Sequence, residues 1–311
     1  MEETKLIGGT WTIGEWHWGK VEEKEAIEVL NVFLDKYKFI DTAPVYGFGK
    51  SEKLIGQTLK NFKREEIKIM TKFGLNTEEG EFFFKTVYRG KDIKVFRKAD
   101  KKTIEKECEQ SLKNLQTDYI DIYLLHFKPE NTELTEIAET LEKLKEKGKI
   151  KKWGVCNLNT GDLHLLISNG FKPYCLQFKY NPLFTKPEKS VIPYCKKYNI
   201  KFYAYSPFEQ GLLIGKYTEN NFDLEDGRRF WKNEKILKAK SLGEKLKTIA
   251  SKHNLTVPQL ILSYLKTKPV NGIVAGARTK KQAEENIARF KTDISESDSK
   301  KLEEIFKNFT V

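Results

Sequence analysis

The sequence predicts a closed (β/α)8 barrel of the TIM type, and three observations carry that prediction. Short apolar, β-rich runs alternate eight times with longer charged stretches of helical periodicity, as parallel strands do when a ring of helices covers them. No Pro/Gly/Ser-rich linker or low-complexity segment interrupts the alternation, so residues 1–311 are expected to form one domain. The 311 residues also suit a barrel, which needs about 250, with room for long loops.

In order, strand 6–9 precedes helix 22–37, strand 39–41 precedes helix 51–61, and strand 67–71 precedes helix 102–115. Strand 119–125 reads Tyr-Ile-Asp-Ile-Tyr-Leu-Leu, β-branched and aromatic as a doubly buried strand should be. It leads to helix 134–147, where Leu134, Ile137, Ala138, Leu141 and Leu144 recur at helical spacing and form one inward face. Strands 151–155, 174–178, 201–205 and 272–275 follow, with helices 161–168, 188–198, 236–252 and 280–289 after them. Helix 257–266 is extra and precedes the eighth strand, and helix 296–306 follows barrel closure. Two gaps exceed the repeat, 74–101 after the third strand and 208–235 after the seventh. Gaps of that length inside a compact domain read as lids or binding loops.

Lys and Arg number 56 against 44 Asp and Glu, a net charge of +12. Only seven of the 56 are Arg, the residue that reads bases and phosphates in bidentate fashion, and the Lys are spread along the whole chain. Runs such as 143–149 read as solvated helix faces. A nucleic-acid partner is therefore not expected, while the positive field favours an anionic cofactor or substrate. Cys108, Cys156, Cys175 and Cys195 show no CxxC pair, which excludes the common zinc spacings and points to a reducing, cytoplasmic setting rather than a disulfide scaffold. There is no signal-peptide pattern at the start and no apolar run approaching ~18 residues, so no membrane segment is expected.

Barrel enzymes place their chemistry at the C-terminal ends of the strands. Here those ends carry Asp41, Lys72, His126, Asn157, Gln177, Tyr205-Ser206 and Gly276-Ala277-Arg278. Singly, each has an ordinary reading: Asp41 as a turn or cap residue, His126 as a satisfied core histidine, Tyr46 as loop packing. Lys72 is harder to place so, because a lysine aimed into a barrel mouth needs an anion or must shift its pKa, and Asp41 lies on the next strand. Together they make an acid–base set: a phenol, an ammonium to lower its pKa, a carboxylate to hold the ammonium, and an imidazole to orient a substrate oxygen.

These segments resemble the aldo-keto reductase superfamily over nearly the whole barrel. The blocks are Gly9-Thr-Trp11, Asp41-Thr-Ala-Pro-Val-Tyr-Gly-Phe-Gly-Lys-Ser-Glu52 with Gly56, Thr71-Lys72, and the strand ending on His126. They continue with Gly148 to Asn157, Gln177 to Pro182, Tyr205 to Tyr217, and Gly276 to Asn286. The ending is similar to the bacterial-type and potassium-channel-β-like branches. The resemblance implies reduction of aldehyde or ketone carbonyls with NADPH, Tyr46 acting as general acid, Lys72 and Asp41 making the phenol more acidic, and His126 positioning the carbonyl. It implies that Thr10, Trp11 and Asp41 line the cofactor, that Asn157 and Gln177 bind the carboxamide, and that Tyr205 stacks on the nicotinamide. By the same resemblance Ser206, Pro207, Phe208, Gly211, Leu212 and Lys216 hold the pyrophosphate, and Gly276, Arg278, Gln282, Glu285 and Asn286 hold the adenosine end. No GxGxxG turn is present or required.

Four features depart from the family pattern. Cys156 stands at a usual Ser, Lys179 at a usual acid, and Phe-Lys-Pro-Glu follows His126. Residues 76–100, with Phe82-Phe83-Phe84, match no family pattern, and the three Phe suit a substrate wall or loop packing equally. Trp11, Trp16 and Trp18 are open to the same two readings. Two other functions are kept in view. One is a cofactor-binding regulatory protein of the channel-β type, which a chain starting almost on its first strand is expected to disfavour. The other is a Schiff-base lyase using Lys72, which Asp41 argues against.

Overall fold

The computed structural model describes residues 3–309. The chain runs β1 (Lys5–Gly9), α1 (Glu23–Val32), β2 (Phe39–Asp41), α2 (Lys50–Leu59), β3 (Lys68–Phe73), β4 (Leu75–Asn76), β5 (Glu81–Tyr88) and β6 (Lys91–Arg97). It continues through α3 (Lys101–Leu115), β7 (Ile120–Leu125), α4 (Leu134–Glu146), β8 (Ile150–Cys156), α5 (Thr160–Ser168), β9 (Cys175–Lys179) and α6 (Val191–Lys197). The last elements are β10 (Lys201–Tyr205), α7 (Asn233–Lys252), α8 (Val257–Lys266), β11 (Gly272–Gly276), α9 (Lys280–Ala288) and α10 (Glu296–Lys307).

Eight strands close in the order β1-β11-β10-β9-β8-β7-β3-β2, every pair parallel, which is the expected (β/α)8 barrel. Ile7, Met70, Ile122, Leu124 and Tyr203 are among the side chains filling its interior. The apolar faces of the helices form the larger core outside it; Leu134, Ile137, Ala138, Leu141 and Leu144 of α4 are all buried, as their spacing requires. Some helix starts are fixed by side-chain caps, among them Asp100 on the Thr103 amide and the reciprocal pairs Asn159 with Asp162 and Thr256 with Gln259. Among the described residues no helix is long and apolar enough to cross a membrane.

Three segments differ from the sequence reading. The helix expected over 22–37 stops being α at Val32; Phe33–Tyr37 forms one π turn, and Lys38 ends it at φ +53°. The turn seats the Phe33 ring against Gly8, where a Cβ would come within 2.5 Å of a ring carbon. The helix expected over 188–198 begins only at Val191, after a 3-10 turn over Lys186–Lys189; Pro193 fits its first turn, where the missing N–H has no partner to lose. The largest difference is 74–101, expected to be a loop. It is a three-stranded antiparallel sheet in the order β4-β6-β5, with Arg89 and Gly90 both at positive φ in the two-residue turn and a register shift between Phe82 and Phe84. Segment 208–235 is a loop, as expected, with 3-10 turns over Glu209–Ile214 and Gly227–Phe230.

These additions cover the barrel mouth and are tied to one another. The buried Glu15 carboxylate meets Lys50 at 2.6 Å and Arg89 at 3.0 Å. The Gly90 amide donates to Glu225 (2.7 Å), and the Gly227 amide donates to the His17 carbonyl (3.1 Å).

Candidate active site

β2 and β3 pair with Asp41 opposite Met70, so Lys72, two residues on, points into the barrel from the same face as Met70. Lys72 is fully buried. Its ammonium lies 2.8 and 2.9 Å from the two Asp41 oxygens, 2.8 Å from the Thr42 carbonyl and 3.1 Å from Tyr46 Oη. Burial works against the ammonium, but Asp41 and Tyr46 more than offset it and hold Lys72 above its ordinary range. Gln177 donates to the same Asp41 oxygen at 2.7 Å, so the carboxylate is bracketed from two strands.

Thr42 is itself held, through its hydroxyl and the preceding carbonyl. Ser51 Oγ donates to Thr10 Oγ1 (2.7 Å), and Thr10 Oγ1 donates to the Asp41 carbonyl (3.0 Å). With the Ser51 proton thus committed, Thr42 is left to donate to Ser51 at 2.9 Å, and the three hydroxyls form a directed chain. Tyr46 sits on the turn between β2 and α2. The next residue, Gly47, has φ +68°, and a Cβ there would collide with the Gly14 carbonyl. Burial pushes the Tyr46 phenol up to about 12, Lys72 pulling it down and Asp41 adding to the rise. Lys72 thus acts on the phenol in the expected direction, lowering its pKa, while burial outweighs it and leaves the net value raised.

His126 follows β7, its amide bonded to the Phe73 carbonyl at 2.9 Å. Its ring stands edge-on to Tyr46, centroids 6.0 Å apart. Burial and the Lys72 charge hold its pKa well below the ordinary value, so at neutral pH it is an uncharged imidazole. Asn157, at φ +59°, donates to the His126 carbonyl (3.1 Å) and accepts from Tyr205 Oη (2.9 Å). The substituted Cys156 thiol lies 3.9 Å from Gln177 Oε1, and burial keeps it protonated, a weak donor where a hydroxyl is usual. Lys179 pairs with Glu209 at 2.7 Å, so its charge is matched from the neighbouring loop.

A cavity of about 660 Å³ opens over this floor. One arm is walled by Trp11, Trp16, Trp18, Phe83, Phe84 and Phe127; the other runs past Asn157, Gln177 and Tyr205 to Ser206, Pro207, Phe208, Gly211 and Gly276. Seven residues of the expected cofactor set lie off its wall. Thr10 is buried behind Asp41, Leu212 packs inward, and Lys216 is exposed. The remaining ones gather where β11 meets α9. There the Arg278 amide donates to Gln282 (2.8 Å), Asn286 donates to the Gly276 carbonyl (3.4 Å), and the Glu285 carbonyl accepts from Gln259 (2.8 Å). The Arg278 guanidinium reaches the carbonyls of Trp18 and Lys20. Thr12, Leu75, Gln210, Arg228 and Phe230 also line the cavity and were not foreseen. Gln210, Arg228 and Phe230 come from the long loop after β10 and Leu75 from the short β4, where no periodicity marks them; Thr12, which donates to the Ala277 carbonyl at 2.6 Å, follows β1 closely.

A family model described as "Aldo/keto reductase family" matches residues 5–307. The chain is 32% identical over 309 residues to the NADH-specific methylglyoxal reductase of Escherichia coli (strain K12), covering 96% of this chain and 93% of that one. It is 30% identical over 286 residues to the aldo-keto reductase yakc, NADP(+), of Schizosaccharomyces pombe, covering 88% and 79%. Among solved structures, a glycerol dehydrogenase from Gluconobacter oxydans superposes with a TM-score of 0.85 at 28% identity, covering 99% of this chain and 93% of that one.

Proposed function

The chain belongs to the aldo/keto reductase family, and we propose that it reduces aldehyde or ketone carbonyls to alcohols with NADPH, Tyr46 acting as the general acid. The observation that carries this reading is the bonding of Lys72. An ammonium has three donors and no acceptor, so at 3.1 Å Tyr46 Oη must accept from Lys72, and its own proton is left to point into the cavity. That is the arrangement of a proton donor. At about 12 the phenol keeps its proton at neutral pH and gives it up only as a substrate oxygen gains charge.

A bound nicotinamide supplies the hydride. The chain's residues do the rest. Tyr46 delivers its proton to the carbonyl oxygen, and Lys72, already in contact with Oη, stabilises the phenolate that remains. Asp41 and the Thr42 carbonyl keep Lys72 charged and aimed. Neutral His126 donates a hydrogen bond to the same oxygen without competing as an acid. The residues of the second arm suit a planar, amide-bearing ring: Asn157 and Gln177 are the polar contacts, and Tyr205 offers an aromatic face. The aromatic wall of the first arm keeps water out, which strengthens every charge interaction on the floor. A Schiff-base role for Lys72 finds no support, because all three of its N–H groups are engaged and its charge is reinforced.

The relatives named above differ in cofactor, one NADH-specific and one carrying NADP(+) in its name. We assign NADPH on Arg278, which stands just before α9; its planar guanidinium, held here by the Trp18 and Lys20 carbonyls, matches a 2′-phosphate in bidentate fashion once it exchanges those acceptors for phosphate oxygens. Four free, buried thiols suit a reducing compartment such as the cytoplasm. The test is a spectrophotometric screen of NADPH and NADH oxidation over aldehydes, ketones, quinones and sugars. Carbonyl-dependent oxidation, faster with NADPH, is expected; no oxidation of either cofactor with any carbonyl would overturn the reading.

A further inference from the structure

The hairpin β5–β6 bears on which carbonyl compounds enter. Two rows of aromatic rings run from it to the two groups that meet a substrate oxygen. In the first, Phe84 lies parallel to Trp16 (centroids 5.7 Å, planes 8° apart), Trp16 is 6.1 Å from Trp11, and Trp11 stacks on Tyr46 at 6.2 Å. In the second, Phe83 packs on Phe127 at 4.9 Å, and Phe127 stacks on His126 at 5.3 Å. Phe82, on the same strand, takes no part; it is 56% exposed and meets Phe96 outside the cavity. Leu75 completes the wall.

The charged groups at this end are matched within the protein. Lys85 pairs with Asp92 at 2.7 Å, Arg228 pairs with Asp226 at 2.5 Å, and Arg97 pairs with Glu81. Burial lowers the pKa of His17 below the ordinary value, which leaves it uncharged at neutral pH. Among the described residues that line this end, a substrate with a carboxylate or phosphate would meet no unpaired cation, and a short polar one would leave both rows uncovered.

We propose that the site selects flat, uncharged carbonyl compounds, aryl aldehydes and aryl ketones, over short polar ones, and that Phe83 and Phe84 of the hairpin set this selection. For its chemistry the inference rests on the reductase reading; for binding it does not. The experiment compares kcat/KM for 2-naphthaldehyde and methylglyoxal in the wild type, Phe84→Ala, Phe84→Leu and Phe82→Ala. Calorimetric binding of the product alcohol, 2-naphthalenemethanol, to the NADP+-loaded proteins runs alongside. In Phe84→Ala the ratio of the two kcat/KM values is expected to fall about tenfold or more, and the Kd of the alcohol to rise by a similar factor, the scale of one aromatic contact. Phe84→Leu, which keeps the hairpin filled, should show a smaller loss of the same kind, and Phe82→Ala should leave the ratio unchanged. An unchanged ratio and alcohol Kd in Phe84→Ala overturn the inference while leaving the reductase reading intact, as does an equal loss in Phe82→Ala. Weaker alcohol binding in Phe84→Ala with no turnover in any variant keeps the inference and removes the reductase reading.

Discussion

Lys72 on the floor of the cavity and Arg228 in its cover are both buried cations, yet they are held in opposite ways. Lys72 meets a carboxylate 31 residues away, on the adjacent barrel strand, and the β2–β3 register sets the positions from which the two side chains meet. Arg228 meets Asp226 two residues away and stacks on Trp18, Tyr217 and Phe222, with ring distances of 4.6–5.3 Å. The floor is fixed by the sheet. The cover is stapled to itself and joins its neighbours through separate contacts, among them Gly90 to Glu225, Gly227 to His17 and Arg278 to Trp18. Changes on the floor should therefore alter the chemical step and the stability of the barrel together. Changes in the cover should alter affinity and selection while leaving the barrel intact.

Lys72→Met breaks the comparison at its strongest point. It leaves Asp41 buried without its cation, and removing one partner of such a pair costs about 3–5 kcal/mol. Denaturant unfolding should show a loss on that scale, and carbonyl reduction should fall at least about a hundredfold as the phenolate loses its support. Wild-type stability with normal turnover would place the ammonium outside the mechanism.

Arg278→Ala probes the junction between cover and barrel. NADPH binding should weaken by about 1.5–3 kcal/mol, the scale of hydrogen bonds to a charged group, and NADH binding far less. Dissociation constants from fluorescence quenching measure both, and an equal loss for the two cofactors would show that Arg278 does not read the phosphate.

The smallest effect concerns the hinge between the two regions. Gly74 links β3 of the floor to β4 of the cover, and its amide donates to Glu107 at 2.8 Å. Burial raises the Glu107 carboxyl to about 8. Between the ordinary carboxylate range near 4.5 and that value the folded protein binds a proton that the unfolded chain has lost, so stability falls as pH rises through this window. Glu107→Gln mimics the protonated form. Urea unfolding at pH 5 and pH 8 should show a smaller decline in the variant than in the wild type; equal declines would mean Glu107 is ionised in the fold.

The same contrast explains what the sequence disclosed. The eight strands and the floor residues Asp41, Lys72, His126, Asn157, Gln177 and Tyr205 were legible because strand period and strand ends determine where those side chains go. The hairpin was not, because the register shift at Phe82–Phe84 breaks its alternation and Lys85, Lys91 and Lys94 dilute its apolar pattern. Its Arg89-Gly90 turn was the signal available. Arg228 and Phe230 come from a loop whose course no local rule predicts, and the Thr42–Ser51–Thr10 chain depends on three segments meeting in space. Lys216, read from the resemblance, is exposed and off the cavity wall.

The division of labour between floor and cover is tested most directly by single-turnover rates of NADPH oxidation with 2-naphthaldehyde and with methylglyoxal, compared in Tyr46→Phe and Phe84→Ala. Tyr46→Phe should bind NADPH normally and slow both substrates by the same factor, about two to four orders of magnitude. Phe84→Ala should change the ratio of the two rates. A Tyr46→Phe variant that retains more than half the wild-type rate on either carbonyl would contradict the assignment of the proton donor, and with it the claim that the floor carries the chemistry.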